Sequence, residues 1–395
     1  MKKIWFTVLI FLGLVVLAGC QESTPDVELH SFEVEVVDID GTVLLSESIF
    51  YEIGTDRNIV YIIDEVVGLD YDVYDIGVFV NGVGEYYPTE YNVTYNYYFG
   101  LYLNDEPITS GIENIVLNDG MKVTFKEISM LDDVDLKVDE LIQKFIDNHL
   151  ETYINDEQIH HYVALAIAHL NARNYQVPQL NSLIENVSGI QRDTIANTFK
   201  TSIFETLFGL PTEDTKTALE DFEANNHYDA MSLLTGLYIT NGDTDLIEDL
   251  VIQLMSLPMY MDADYAGMVI STLAPYSGDV DVQSFINDMY VYIQENQTSE
   301  GIDGWGGPNS ASTASVIIGL VAQGVNPRSE AYTVDGVDLI ESLLGFELNG
   351  AYKLQLSSDQ ADMAFSTPQA FTALVAYKLY RDVYGNPAVN IFNIG

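Results

Sequence analysis

The chain has 395 residues, of which 60 are acidic and 15 are basic, so its formal net charge at pH 7 is −45. A surface this acidic excludes nucleic acid as a partner, because phosphate binding depends on Lys and Arg, and it disfavours adsorption to anionic lipid headgroups. Hydrophobic residues make up 48% of the sequence, which excludes a disordered chain, and the length is sufficient for two domains.

The first twenty residues have the pattern of an export signal. Two lysines precede an apolar run at residues 4–17, which is shorter than the roughly 20 residues that a membrane-spanning helix needs. The run ends in Leu17-Ala18-Gly19-Cys20, which resembles the lipobox of bacterial lipoproteins. The resemblance implies removal of residues 1–19 as a signal peptide and lipidation of Cys20, the only cysteine in the chain. An ordinary secretory signal or an uncleaved anchor is the alternative.

The sequence predicts an α+β protein in which two domains follow a short tether. Residues 20–27 are predicted to be a flexible tether, residues 28–130 a small β-rich domain, and residues 131–395 a helical domain. The predicted location is the extracytoplasmic face of the cell membrane. The lipid on Cys20 would be the membrane anchor, because the acidic surface cannot supply one.

Residues 28–130 carry the alternation that is typical of strands. Residues 32–36 alternate apolar and acidic side chains, and Asp40-Gly41 makes a turn into another apolar run. The odd-numbered residues from Tyr95 to Leu103 are apolar or aromatic and would share one face of a strand. Tyr98, in the same tyrosine-rich stretch, is a candidate for a ligand-binding rim, although aromatic residues also suit a half-buried pleated surface.

After Leu131 the period of the apolar residues changes to that of a helix, first over Leu136 to Leu150. A motif then recurs in which one or two polar residues are followed by a small residue and an apolar helix. Its copies lie at residues 160–164, 227–230, 264–267, 310–314 and 366–370. A degenerate copy near residues 194–208 brings the number of units to about six, each predicted to be a pair of helices.

The polar starts of these repeated helices predict a shared pocket. If the repeated helices form an inner ring, equivalent residues gather around one end of a central cavity. Plain capping of the helix N-termini is an equally good interpretation of the same residues. The candidate ligand-binding residues are His161, His227, Tyr228, Asp262, Asp264, Ser312, Thr367, Gln369 and, from the β-rich domain, Tyr98.

The glycine-rich turn at residues 297–307, followed by the helix-like run from Ser310 to Pro327, resembles the alpha/alpha-toroid repeat of prenyltransferases, terpene cyclases and the transcobalamin family. The resemblance covers roughly residues 155–385. It implies an α6/α6 barrel-like toroid of inner and outer helices.

The segments at residues 97–104, 111–112 and 117–125 are similar to the transcobalamin C-terminal-like domain, a β-grasp-like module. Together the two modules resemble transcobalamin and intrinsic factor, which hold cobalamin between an α-barrel and a β-domain. The order of the two modules is reversed in this chain. The resemblance implies that cobalamin or another corrinoid is a ligand.

The sequence lacks the residues that the known toroid enzymes use for catalysis. Protein prenyltransferases bind a catalytic zinc through a cysteine, and Cys20 is predicted to carry the lipid. Terpene cyclases use an Asp-x-Asp-Asp acid, whereas residues 262–265 read Asp-Ala-Asp-Tyr and lack the last carboxylate. The sequence therefore predicts no catalytic residue, no bound metal and no catalytic cofactor. A terpene cyclase-like enzyme is the least supported alternative.

The leading hypothesis is a membrane-tethered lipoprotein that captures a bulky small molecule without catalysis. Corrin side chains are amides, which suit carboxylate, amide and tyrosine partners, and either His161 or His227 could ligate cobalt. A transporter or another surface protein would be the protein partner. The alternative, from a different class, is a surface adhesion protein in which both modules bind protein or glycan partners.

Replacing Cys20 by serine tests the predicted anchor. Because the thioether would be the only firm link to the membrane, the Cys20→Ser protein should remain uncleaved or be shed into the medium. Fractionation of cells, with metabolic labelling of the lipid, measures both outcomes. A Cys20→Ser protein that is still lipidated and retained in the membrane would contradict the prediction.

Overall fold

The computed structural model describes the chain in five stretches, with the side chains of residues 263 and 264 also left undescribed. These stretches are residues 28–54, 57–75, 77–256, 263–304 and 306–394. The predicted signal peptide and the whole of the predicted tether, including Cys20, lie outside them. In the described part of the chain, no helix combines the length and the apolar character that crossing a bilayer requires.

The structure is mixed α+β, with a β-sheet region over residues 29–129 and a largely helical region after it, as the sequence predicted. Two compact units are present. Among the described residues, the sheet unit comprises those up to Tyr86 together with Phe99–Glu127, and the helical unit comprises Tyr87–Tyr98 together with those from Ile128 onward. The segment Tyr87–Tyr98 therefore packs with the helices, although it interrupts the β-rich part of the sequence.

The sheet unit contains one five-stranded sheet, with the strand order β2-β1-β7-β5-β6, and a separate hairpin of β3 and β4. Strand β1 pairs antiparallel with β2 and parallel with β7. The strands are β1 (Leu29–Val37), β2 (Val43–Glu52), β3 (Leu69–Tyr74), β4 (Gly77–Val83), β5 (Tyr97–Leu103), β6 (Glu106–Pro107) and β7 (Lys122–Ser129), and the helix is α1 (Ile59–Val66).

Alternation along β1 determines which face of the sheet is buried. Phe32, Val34 and Val36 are fully buried, whereas Glu33 and Glu35 between them reach the other face. Helix α1 packs its apolar face into the same core, and its N-cap residue Asn58 accepts a hydrogen bond from the Val60 amide. Tyr95 does not extend the face predicted for β5, because the strand begins at Tyr97 and Tyr95 is exposed.

The helical unit consists of helices joined by short turns and small strand pairs. Its helices are α2 (Asp133–Tyr153), α3 (His161–Ala172), α4 (Leu180–Leu183), α5 (Ile195–Leu207), α6 (Glu213–Glu220), α7 (His227–Thr240), α8 (Thr244–Ser256), α9 (Ala263–Leu273), α10 (Val280–Glu295), α11 (Ser310–Ala322), α12 (Leu339–Leu344) and α13 (Ser366–Arg381), with 3-10 turns at Ala274–Tyr276 and Glu330–Tyr332. Its strand pairs are β8 (Ile154–Asn155) with β9 (Gln158–Ile159), β11 (Gly301–Gly304) with both β10 (Gln297–Thr298) and β12 (Gly307–Pro308), β13 (Thr333–Val334) with β14 (Val337–Asp338), and β15 (Glu347–Leu348) with β16 (Ala351–Tyr352).

Six of these helices contact one another in chain order, and we call them the inner helices: α3, α5, α7, α9, α11 and α13. Helix α13 also contacts α3, so their contacts form a closed cycle. The intervening helices pack against them, as α8 does on α7 and α10 does on α9. Helices α11 and α13 are buried along most of their length, whereas α8 buries only three residues. A helix that is apolar or small all round must be enclosed by its neighbours, which explains the two populations.

Helices α9 and α11 touch through their backbones. A Cβ atom added at Gly267 would lie 2.4 Å from the carbonyl oxygen of Ser315, and one added at Gly319 would lie 2.5 Å from the carbonyl oxygen of Gly267. No side chain can move aside to relieve such an overlap, because the opposing atoms are backbone. The small residue of the recurring motif is therefore required here by helix packing.

Adding one methyl group at this contact should destabilise the helical unit. Gly267→Ala forces α9 and α11 apart, and overpacking of this kind costs about 1–3 kcal/mol or more. Gly278→Ala is the matched control, since its Cβ would meet nothing within 4 Å. Chemical denaturation followed by circular dichroism measures the difference. Equal stabilities of the two variants would contradict the backbone contact.

Candidate functional site

A cavity of about 620 Å³ lies inside the helical unit. Every inner helix contributes to its wall. Representative lining residues are His161 of α3, Lys200 of α5, Tyr228 of α7, Met268 of α9, Ser315 of α11 and Gln369 of α13. This volume lies within the range of about 300–1,000 Å³ that is typical of sites for small molecules.

Most of the inner helices face the cavity with side chains of their first turns, whereas α9 does so with Met268 and Ser271, nearer its C-terminal end. Residues three or four apart share a face of a helix, and the lining residues follow these spacings. The pairs are Ala196 and Lys200 in α5, Tyr228 and Ser232 in α7, Ala311 and Ser315 in α11, and Phe365 and Gln369 at the start of α13. Small residues in these rows leave room for a ligand.

The wall of the cavity is mixed in character and open to solvent on one side. Tyr228 is 50% exposed and Phe365 is 67% exposed, so these two aromatic side chains lie at the opening. Phe199, Met268 and Ile318 supply apolar surface to the wall. An apolar wall with a few polar groups is the usual composition of a small-molecule site.

Two histidines at the start of α3 are held neutral by the protein around them. The rings of His160 and His161 stack with a centroid distance of 5.0 Å. Burial, and then the positive charge of Lys200, lower the pKa of His160 to about 4. Burial also holds the pKa of His161 well below its ordinary value, with smaller contributions from His160 and Lys200. Both imidazoles are therefore unprotonated at pH 7.

Free polar groups remain on the wall. Within the described residues, neither the His161 ring nor the Gln369 side-chain amide makes a hydrogen bond, and the Nδ1 atom of His160 is buried without a partner. No three His, Cys, Asp or Glu side chains of the described stretches come together as metal ligands. The described part of the wall therefore offers single hydrogen-bond donors and acceptors.

Three of the residues predicted from the sequence line the cavity: His161, Tyr228 and Gln369. Three others, His227, Ser312 and Thr367, are not lining residues. The His227 ring packs edge-on against Tyr265 at 4.8 Å, and Ser312 and Thr367 are fully buried.

The remaining predicted residues are not on the wall as the structure describes it. Tyr98 is half-buried in β5 and is not a lining residue. Asp262 and the side chain of Asp264 lie outside the described residues, so the structure places neither of them.

In α5, α11 and α13, a buried threonine holds the chain segment that precedes the helix. Thr367 accepts a hydrogen bond from the Tyr352 amide at 2.9 Å, Thr313 accepts one from the Ile302 amide at 3.0 Å, and Thr201 accepts one from the Gln191 amide at 3.0 Å. This repeated contact explains why the motif carries a polar residue at a position that does not face the cavity.

Sequence reasoning missed several lining residues, notably His160, Phe199, Lys200 and Ser232. Phe199 and Lys200 lie in α5, whose copy of the motif was recognised only as a degenerate one. Ser232 lies one turn after Tyr228, and the same four-residue step from each helix start would have found it.

Comparison with known proteins identifies no family for this chain. No protein-family model matches the sequence, and a comparison with curated proteins finds none that is similar. Among solved structures, the chain is similar to one described as a "putative metal binding protein" from Ruminococcus gnavus ATCC 29149, at 14% identity. The match covers 26% of this chain and 99% of that chain, with a TM-score of 0.21. A likeness of this size supports no conclusion about fold or ligand.

The neutral histidines predict a loss of stability on acidification. An unfolded histidine titrates near pH 6.5, whereas folded His160 binds its proton only near pH 4, so between these values the unfolded chain holds more protons and unfolding is favoured. Lowering the pH from 7 to 5 should therefore reduce the free energy of unfolding by about 2 kcal/mol through His160. His161 acts in the same direction.

Urea denaturation of the full chain at both pH values measures this effect. The His160→Gln protein should lose about 2 kcal/mol less than the parent on acidification. Gln369→Leu changes the same cavity without removing a titrating group, so it should keep the full pH dependence of the parent. An unchanged pH dependence in His160→Gln would show that His160 is not held neutral.

Proposed function

We propose that this protein is a lipid-anchored, extracytoplasmic lipoprotein that captures a bulky small molecule without catalysis, and that the molecule is cobalamin or another corrinoid. The observation that carries the proposal is the cavity of about 620 Å³, walled by all six inner helices and holding a neutral His161 without a hydrogen-bond partner among the described residues. The location rests on the signal and lipobox pattern that ends at Cys20.

We infer further that the helical unit is an alpha/alpha toroid. The inner helices contact one another in chain order, and the contact of α13 with α3 brings the end of the cycle back to its start. The intervening helices pack on them from outside, in the alternation that the recurring motif predicts. In such an arrangement equivalent helix ends surround one axis, which accounts for a cavity lined by residues of the same phase in successive helices.

A corrinoid suits the chemistry of this cavity. Cobalt is ligated by the neutral form of imidazole, and the lowered pKa of His161 keeps that form at pH 7. The amide side chains of the corrin could exchange hydrogen bonds with Gln369 and Ser232. A corrinoid is larger than the cavity, so it would enter with one face while the rest lies at the opening beside Tyr228 and Phe365.

Titration with aquocobalamin tests the proposal. The full mature chain should bind it with a dissociation constant below about 1 μM, which corresponds to about −8 kcal/mol. His161→Ala should remove the shift in the absorption spectrum that cobalt ligation by imidazole causes. His149→Ala is the matched control, because His149 lies in α2 and contacts the Asn349 carbonyl, away from the cavity.

Gln369→Ala extends the test to the corrin amides and should weaken binding by about 1 kcal/mol, the net value of one hydrogen bond. A terpenoid and haem serve as comparison ligands. If calorimetry shows no heat and the spectrum does not change with any corrinoid, the corrinoid proposal is wrong and the adhesion alternative gains support. A spectral shift that persists in His161→Ala would keep the ligand but remove His161 as its partner.

A further inference from the structure

We propose that the ligand of this cavity is anionic: an acidic group on a largely apolar body, with the acidic group bound by Lys200 beside the histidine pair of α3. This inference rests on the proposed small-molecule function and names the chemical class of the ligand. A corrinoid that carries a phosphodiester belongs to this class.

Lys200 is the first observation. Acidic residues outnumber basic ones by 60 to 15 in this chain, so a lysine has many carboxylates with which it could pair. Several other cations of the helical unit do so: for example, Lys144 pairs with Glu347 at 2.8 Å, and Lys378 pairs with Asp382 at 2.9 Å. Lys200 lines the cavity, yet no carboxylate of the described residues lies within ion-pair distance of it.

Asp362 carries the one carboxylate on the described wall, and this group already accepts several hydrogen bonds. Asp362 accepts hydrogen bonds from the amides of Ala364, Phe365 and Ser366 and from the Ser366 hydroxyl, at 2.9–3.3 Å. These four donors stabilise its charge and fix the start of α13. The negative charge of Asp362 is therefore compensated by hydrogen-bond donors, whereas the positive charge of Lys200 has no carboxylate partner among the described residues.

The start of α3 adds to the attraction for an anion. A helix N-terminus carries a partial positive charge from its free amide groups. The N-cap residue of α3 is His160, whose side chain accepts no hydrogen bond from the first turn, whereas α5, α7 and α11 are capped by Thr194, Asn226 and Asn309. Lys200 and this uncapped helix start lie on the same cavity wall, and the charge of Lys200 reaches His160 and His161.

The rest of the wall explains the apolar body. Phe199, Met268, Ile318 and Leu354 contribute apolar surface next to the charged group. A small inorganic anion would gain nothing from this apolar surface, because such an ion is strongly hydrated and has no apolar part to bury. The combination suits an amphipathic acid, whose carboxylate, phosphate or sulfonate faces Lys200 while its body covers the apolar wall.

A pair of fluorescent probes isolates the charge. The dyes 8-anilinonaphthalene-1-sulfonate and N-phenyl-1-naphthylamine share one aromatic body and differ in the sulfonate group. The full mature chain should bind the sulfonate at least about tenfold more tightly than the neutral dye, because hydrogen bonds to charged groups are the stronger ones. Lys200→Gln should abolish this preference and leave binding of the neutral dye unchanged.

Two variants control the experiment. Lys216→Gln makes the same change in net charge, but Lys216 lies in α6 and donates to the Asn241 carbonyl at 3.0 Å, outside the cavity wall. This variant should keep the preference for the sulfonate. Ala311→Trp fills the cavity and should reduce the binding of both dyes, which shows that the dyes occupy this site; circular dichroism verifies that the variant folds.

The outcomes separate this inference from the proposed function. Equal binding of both dyes by the parent, or a preference that survives in Lys200→Gln, would overturn the anionic ligand while keeping a small-molecule site. Failure of both dyes to bind would count against the small-molecule function itself and against the inference that rests on it. Displacement of the bound sulfonate dye by dodecanoate or dodecyl phosphate, but not by dodecanol, would support an anionic ligand. Comparison of the concentrations at which dodecanoate and dodecyl phosphate displace the dye would show which acidic group the site prefers.

Discussion

The helical unit depends on two buried cations in the last turn of α13. Lys378 lies 2.9 Å from Asp382 and 3.2 Å from both Asp139 and Glu90, and Arg381 forms two hydrogen bonds with Asp139. A buried charge is tolerated only when opposite charges and hydrogen bonds replace its water. Because the partners come from α2 and from the segment Tyr87–Tyr98, this cluster fixes both of them to the helix that closes the cycle.

Ion pairs of a similar kind recur elsewhere and show how this strongly acidic chain uses its few basic residues. In the described part of the helical unit, Arg328 pairs with three carboxylates and holds the start of α2 to Asp338, the N-cap residue of α12. Most of the few basic residues thus serve the fold, while the surplus of acidic residues lies mainly at the surface. Lys200 stands apart, since it faces the cavity and makes no comparable pair among the described residues.

The cavity and the close packing of the inner helices have the same origin. Small residues allow α9 and α11 to meet backbone to backbone at Gly267 and Gly319. Other small residues, such as Ala311 and Ser315, lie on the row that faces the cavity and fail to fill it. A helix of small residues can therefore pack tightly on its sides and still leave space in front of its first turns. The histidines of α3 add polar groups to this wall that are uncharged at pH 7, beside the positive charge of Lys200.

The sequence by itself indicated the character and order of the two halves: the alternation of Phe32, Val34 and Val36 predicted a strand, and the recurring motif predicted about six helical units. These patterns are local, since the period of apolar residues depends only on the geometry of one element. Only the tertiary structure decided which face of each helix meets the cavity. Adjacent residues of a helix point about 100° apart, so packing against neighbours turned Thr367 toward Tyr352 and left Gln369 on the wall. Contacts between residues far apart in sequence decided the rest, such as the pairing of Glu90 with Lys378, because the folded chain alone brings those charges together.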